Sequence, residues 1–184
     1  MKILAFAGSN SSKSINKELV SHTTSYFKDE TIELLDLNDF EMPLFSIDRL
    51  MQNGMHPLAV DFAQKIDESD LLIISLAEHN GSYSTAFKNI YDWISRIKDR
   101  KAFGDKPLLL MATSPGARGG ATVLEMAKNS MPFFGGNVLE TYSLPKFHEN
   151  FDSTKGVING ELKVELESKI GAVKIHIQKE QFIG

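Results

Sequence analysis

Residues 3–7, Ile-Leu-Ala-Phe-Ala, are apolar without interruption, and the chain breaks at Gly8 directly afterwards. A run this short and this apolar predicts a strand covered on both faces, because a strand with one wet face alternates apolar and polar residues. Strands of that kind belong to parallel sheets, whose neighbours need crossover connections. A crossover helix is at hand. Ile15, Leu19, Thr23 and Tyr26 fall on one face of a helix expected over residues 14–27, with Ser14 as its N-cap. Between strand and helix stand Ser9, Asn10, Ser11 and Ser12, which add donors without bulk. Strand, small-residue loop and helix N-terminus together make an anion site, since first-turn amides lack helical partners and the helix dipole is positive there. A phosphate so placed accepts several charge-assisted bonds of roughly 1.5–3 kcal/mol each. The same residues also read as a capped βα turn without a ligand. The repeated glycines of a dinucleotide turn and the Gly-Lys-Ser/Thr ending of a triphosphate loop are both absent, so a single terminal phosphate suits the loop better.

The alternation continues down the chain. Residues 31–36 predict a second strand, and residues 37–55 a long irregular connection whose Met42, Leu44, Phe45 and Leu50 pack onto something. Pro57 opens a second helix, with Leu58, Phe62 and Ile66 spaced four apart. Asp70 introduces the third strand, residues 71–76, which empties into the loop 78–83, Glu-His-Asn-Gly-Ser-Tyr. A third helix is expected over 84–99, a fourth strand over 108–112, and a small-residue loop over 113–120. A fourth helix over 121–129 and a fifth strand over 138–142 come next. A second irregular stretch, 143–158, leads to a last helix capped by Asn159, with Leu162, Leu166, Ile170, Val173 and Ile177 on one face. Five strands alternating with five helices predict one domain, residues 1–184, built on a doubly wound parallel sheet, for which 2-1-3-4-5 is a common strand order. In that order loops one and three flank the switch point, with loop four beside them, and a ligand belongs in the crevice between.

Composition excludes several function classes. The 20 Lys and Arg are scattered against 24 Asp and Glu, for a net charge of −4, so no basic patch points to nucleic acid or an anionic membrane. Cysteine is absent, which removes disulfides, thiolate nucleophiles and thiolate metal sites and fits a reducing cytoplasm. Met1 leads straight into a core strand, so no signal peptide is expected, and no apolar run nears the ~18 residues of a membrane span. His22, His56, His148 and His176 show no ligand spacing, and no metal site is expected. Ser12 and Ser130 belong to no visible His-Asp constellation, and no catalytic side chain is assigned. On the third helix Phe87, Ile90, Tyr91 and Ile94 form a core stripe that Trp93 and Ile97 widen. That surplus suggests a subunit contact, with burial under the 37–55 connection as the alternative.

Taken together, the loops resemble those of the NADPH-dependent FMN reductase family, the flavodoxin-like group that includes bacterial quinone, azo-dye and chromate reductases. Gly8-Ser9, Ser14 and Asn16 match its phosphate loop. Glu78-x-Asn80-x-Ser82 with Lys88-Asn89-x-x-Asp92-Trp93 is similar to its second signature, and residues 114–120 resemble its Gly-rich third loop. Phe147 and Phe151-Asp152 match its C-terminal segment more weakly. The resemblance implies a flavodoxin-like α/β/α sandwich that binds FMN. Ser9, Ser14 and Asn16 would hold the phosphate, with Ser11 and Ile15 also among the cofactor-binding positions, and Glu78, His79, Asn80 and Gly81 would line the isoalloxazine edge, largely through backbone groups. Ser114 and Gly116 would approach the ring from the fourth loop. The chain departs from the family in having Ser11 where an Arg is usual, His79 where a Tyr is usual, and Ala77 in place of a Pro; Lys13 or Arg118 is then left to supply the missing cation. The implied activity passes electrons by ping-pong transfer from NADPH or NADH through FMN to a small acceptor such as a quinone, azo compound or free flavin, in a homodimer or homotetramer. An electron carrier, or a flavin-free binding module on the same fold, stays open beside that reading.

Overall fold

The computed structural model describes residues 1–183; residue 184, the last of the expected domain span, lies outside them. The central sheet is made of β1 (Lys2–Gly8), β2 (Thr31–Leu35), β3 (Leu71–Leu76), β6 (Lys106–Thr113) and β7 (Gly136–Leu144), all parallel and ordered β2-β1-β3-β6-β7. Counting sheet strands alone, this is the expected 2-1-3-4-5 order of a flavodoxin-like fold. The two short ladders are β4 (Glu78–His79) with β5 (Ser82–Tyr83), and β8 (Phe151–Asp152) with β9 (Gly156–Val157), both antiparallel. Around the sheet run α1 (Ile15–Thr24), α2 (Ile47–Asn53), α3 (Pro57–Asp67), α4 (Thr85–Ile94), α5 (Ala121–Ser130), α6 (Phe147–Asn150) and α7 (Gly160–Ile183).

Period-two alternation sorts each strand between two cores. Ile3, Ala5, Ala7, Ile73, Leu109 and Met111 face one side and pack with Leu19 and Val20 of α1 and Leu166, Ile170 and Val173 of α7. Leu4, Phe6, Leu72, Ile74, Leu108 and Leu110 face the other, against Phe62 and Ile66 of α3, Phe87 and Ile90 of α4, and Val123 and Ala127 of α5. Every side chain of β3 is buried. At ~25 cal/mol per Å² of apolar surface, burial on both faces is what makes a continuous aliphatic run favourable here.

Several boundaries differ from the sequence expectation. α1 ends at Thr24, because Thr23 and Thr24 hydroxyls donate to the carbonyls of Leu19 and Ser21. The amides of Ser25, Tyr26 and Phe27 close three-residue turns instead of continuing the helix. α4 likewise stops at Ile94, and the amides of Arg96 and Ile97 turn back to Trp93 and Ile94. The stretch 37–55 is not irregular: it holds a 3-10 turn, Leu37–Phe40, capped by Asp36, and α2, capped by Ser46. Residues 143–158 contain the end of β7, α6 and the β8–β9 ladder. Both stretches carry few periodic apolar residues, so neighbours rather than local pattern set their structure.

The surplus apolar arc expected on the third helix of the sequence reading, which is α4, is covered within the chain. Trp93 is 2% exposed, its indole N–H donates to Pro43 O at 2.8 Å, and Phe45 meets its ring edge-on at 5.2 Å. Asn89 binds the same segment, donating to Met42 O at 3.0 Å and accepting from Phe45 N at 2.8 Å. Burial beneath the connection, the alternative reading, is therefore the observed one. The apolar surface reappears one layer out, at Leu44, Ile47 and Met51, which are 62%, 58% and 79% exposed.

Candidate functional site

The carboxyl ends of β1, β3 and β6 lie side by side, so the loops that follow them, residues 9–14, 77–84 and 114–120, share one edge of the sheet. Loop one is a chain of hydroxyl turns. Ser9 Oγ accepts from Ser11 N at 3.2 Å and Ser11 Oγ from Lys13 N at 3.3 Å. Ser14 Oγ caps α1 by accepting from Lys17 N at 3.2 Å. Each hydroxyl acts as acceptor in these bonds, which leaves its proton to donate to an anion. The amides of Lys17 and Glu18 go to Ser14 O, whereas those of Ile15 and Asn16 have no acceptor among the described residues. Two open amides at a helix start, ringed by serine hydroxyls, fit a phosphate monoester dianion. Lys13 is exposed at the loop. Lys17 is committed elsewhere: its ammonium meets Asp36 at 2.5 Å and, with the Asn38 amide, holds that carboxyl below the usual range.

Asn16 presents a different group from the one its residue type suggests. It is 3% exposed, and its Oδ1 accepts from Ser75 Oγ at 2.7 Å and Thr113 N at 3.0 Å. Its Nδ2 donates to Thr113 O at 3.2 Å. With the carboxamide occupied, Asn16 offers an incoming anion its backbone amide.

Loop three folds as the β4–β5 hairpin. Asn80 and Gly81 turn it with φ of 52° and 75°, both left-handed, which is what a two-residue hairpin turn of this hand demands and why Asn-Gly suits it. His79 and Asn80 are exposed at the tip and Gly81 is half-buried. Beneath the tip, Tyr83 packs edge-on against Phe87 at 5.2 Å, and burial pushes its phenol up from the ordinary value. Ser84 caps α4 and donates to Gly8 O at 2.7 Å, joining loop three to the end of β1. Glu78 is half-buried and its Oε2 accepts from Val123 N at 2.9 Å.

In loop four, Ser114 O accepts from Phe147 N at 3.0 Å and Gly116 O from Lys146 N at 2.9 Å, so both carbonyls are anchored to the turn after β7. Ser114 is half-buried, with its hydroxyl 3.4 Å from Gly116 O, and Gly116 is exposed. Arg118, in the turn before α5, donates to Thr122 Oγ1 in that helix's first turn at 2.6 Å. The eleven sequence-expected positions thus fall on one edge. The residues that hold this edge together, Ser75, Ser84, Thr113 and Val123, were not anticipated. Ser75 carries a signal in the sequence as the one hydroxyl within the aliphatic run 71–76, and Ser84 as the hydroxyl at the expected start of the third helix. Cavity size does not single out this edge, because cavities of about 440 and 350 Å³ lie against α1 and residues 151–156 and at the amino end of the sheet. The donor arrangement does.

Comparisons with known proteins point the same way. The family described as NADPH-dependent FMN reductase matches residues 1–149. A curated NADPH:quinone oxidoreductase of Arabidopsis thaliana is 32% identical over 125 residues, covering 65% of this chain and 61% of the relative. A quinone reductase of Escherichia coli K12 is 29% identical over 122 residues, covering 61% of this chain and 64% of the relative. The match thus spans under two thirds of either relative's length. Among solved structures, the flavoenzyme NAD(P)H:(acceptor) oxidoreductase of Paracoccus denitrificans superposes with a TM-score of 0.78, 23% identity and 97% coverage of both chains, which establishes the shared fold.

Proposed function

This chain belongs to the NADPH-dependent FMN reductase family, and from that premise we propose that it binds FMN at the loop edge and reduces a small acceptor with electrons from NADPH or NADH. The single observation that carries the proposal is the pair of open amides on Ile15 and Asn16 beside the hydroxyls of Ser9, Ser11 and Ser14. FMN held there would supply the redox chemistry, two-electron transfer from NADPH or NADH to a quinone, azo compound or free flavin in ping-pong alternation. The chain's own part is to bind and orient. Loop one holds the phosphate, with Lys13 as the nearby cation in place of the usual Arg. Backbone groups of residues 78–81, with Ser114 and Gly116 of loop four, would face the ring edge, where fixed dipoles stabilise added negative charge. No side-chain acid or base is assigned.

The rest of the reading follows from the same premise. Residues 1–184 act as one domain, working in the cytoplasm as a homodimer or homotetramer. No helix of the described residues is long and apolar enough to cross a membrane. Exposed Leu44, Ile47 and Met51 support the subunit contact.

The experiment is to load purified protein with FMN, desalt it, and follow the visible spectrum anaerobically as NADPH is added. Retained yellow colour that bleaches on NADPH addition, and returns when a quinone is supplied, is the expected outcome. Retained flavin that NADPH leaves oxidised would make the protein an electron carrier. Failure to take up FMN in an affinity titration would overturn the flavin reading.

A further inference from the structure

We propose that Glu78 is a positioning residue, a latch whose carboxylate clamps the 78–83 hairpin to the start of α5 and thereby fixes the third and fourth loops of the cleft against each other. The inference rests on the flavin reading above for its consequence, though not for its geometry.

α5 lacks a cap of its own. Its N-cap residue is Gly120, left-handed at φ 77° and without a side chain to accept a first-turn amide. Helix starts ordinarily satisfy the N2 or N3 amide from the N-cap side chain. Here the N3 amide, on Val123, finds its acceptor 45 residues away, in Glu78 Oε2 at 2.9 Å. A carboxylate at the positive end of a helix gains from the dipole as well as from the bond.

The hairpin in turn depends on its attachments. It has only two residue pairs, Glu78 with Tyr83 and His79 with Ser82, too few for a ladder to persist alone in water. Tyr83 anchors one strand in the core, and Glu78 anchors the other. At the hairpin tip, Gly81 faces α5, since a Cβ built there would lie 3.7 Å from Thr122 Cγ2.

Three polar ties join the elements at this edge. Asn16 at the start of α1 meets Thr113 at the end of β6, Ser84 of loop three meets Gly8 at the end of β1, and Glu78 of loop three meets Val123 in the first turn of α5. Asn16 and Ser84 are 3% and 1% exposed, whereas Glu78 is half-buried. The Glu78 tie is therefore the one that can open without disturbing the core, and it controls where the hairpin tip, residues 79–81, sits relative to loop four.

The test compares wild type, Glu78→Ala and Glu78→Gln by amide hydrogen exchange of the flavin-free protein and by FMN titration. Alanine should speed exchange at Val123 by about tenfold, leave the amides of β3 and β6 unchanged, and raise the FMN dissociation constant by about tenfold. Glutamine keeps a carbonyl acceptor and should restore most of both. Unchanged Val123 exchange in the alanine variant overturns the latch. So does a glutamine variant that keeps Val123 protected yet binds FMN as weakly as alanine, because that result assigns Glu78 a direct charge contact with the ligand. If the wild type takes up no FMN, the flavin reading falls while Val123 exchange still decides the latch.

Discussion

Ser14 Oγ accepts the Lys17 amide at 3.2 Å and keeps its own proton for an anion, so one hydroxyl serves both helix and ligand. Ser14→Ala should cost roughly 1 kcal/mol of stability through the lost cap and leave the fold intact. The same change should weaken FMN binding by about tenfold, as expected for one charge-assisted bond. Urea unfolding and FMN titration read the two effects separately, and an unchanged dissociation constant would remove Ser14 from the phosphate site. Asn16 differs: its carboxamide oxygen accepts two bonds and its nitrogen donates one, all to groups in the interior. Asn16→Ala strands the Ser75 hydroxyl and the Thr113 amide and carbonyl in the interior, with an expected cost of roughly 2–4 kcal/mol by chemical denaturation. A cost no larger than that of Ser14→Ala would contradict the tying role. Residue type alone makes both positions equally good ligand candidates. Hydrogen bonding separates them, since both are buried.

The β8–β9 hairpin sits on α1 through His22. The His22 ring meets Phe151 edge-on at 5.6 Å and Tyr26 at 5.3 Å, and Gly156 lies so close that a Cβ there would come within 1.9 Å of Cε1. Its Nε2 is buried with no partner among the described residues. Burial, reinforced by Lys163 of α7 and opposed by Glu167, lowers the imidazole from its ordinary value. Between the lowered folded value and the ordinary unfolded one near 6.5, the unfolded chain holds more protons, so stability rises with pH there. The contribution is complete above about pH 6.5 and is lost as the pH falls through the folded value. We expect His22→Phe, which keeps a ring in the same slot, to flatten the decline in urea midpoint between about pH 7 and pH 5 relative to the parent. Parallel curves for the two proteins would show that His22 does not set this dependence. Nothing in the 143–158 stretch announces such a hairpin, because its two-residue strands are too short for a period to register and its position comes from the aromatic contacts.

For the whole molecule, the apolar surface that helix three was expected to offer a partner is spent inside the chain, and the 41–53 segment that covers it carries Leu44, Ile47 and Met51 outward instead. If these residues form the subunit contact, the double change Ile47→Glu and Met51→Glu should convert a dimer to a monomer in light scattering, with little effect on the unfolding midpoint. A monomeric wild type, or a variant of unchanged mass, would exclude this face. The parallel sheet and its two-sided core were legible from short-range properties: apolar runs, period-four helical faces, caps, and the chirality of parallel crossovers. The strand order that gathers three loops at one edge came with the family resemblance. The clustering of Ser9, Ser14, Asn80 and Gly116 needed no more than that topology. The tertiary structure alone decided which atoms face the cleft. Asn16 turns its carboxamide to Thr113 across 97 residues, Glu78 caps a helix 45 residues away, and Trp93 finds Pro43 across 50. Bonds of that reach depend on where packed elements come to rest, and local pattern holds no record of it.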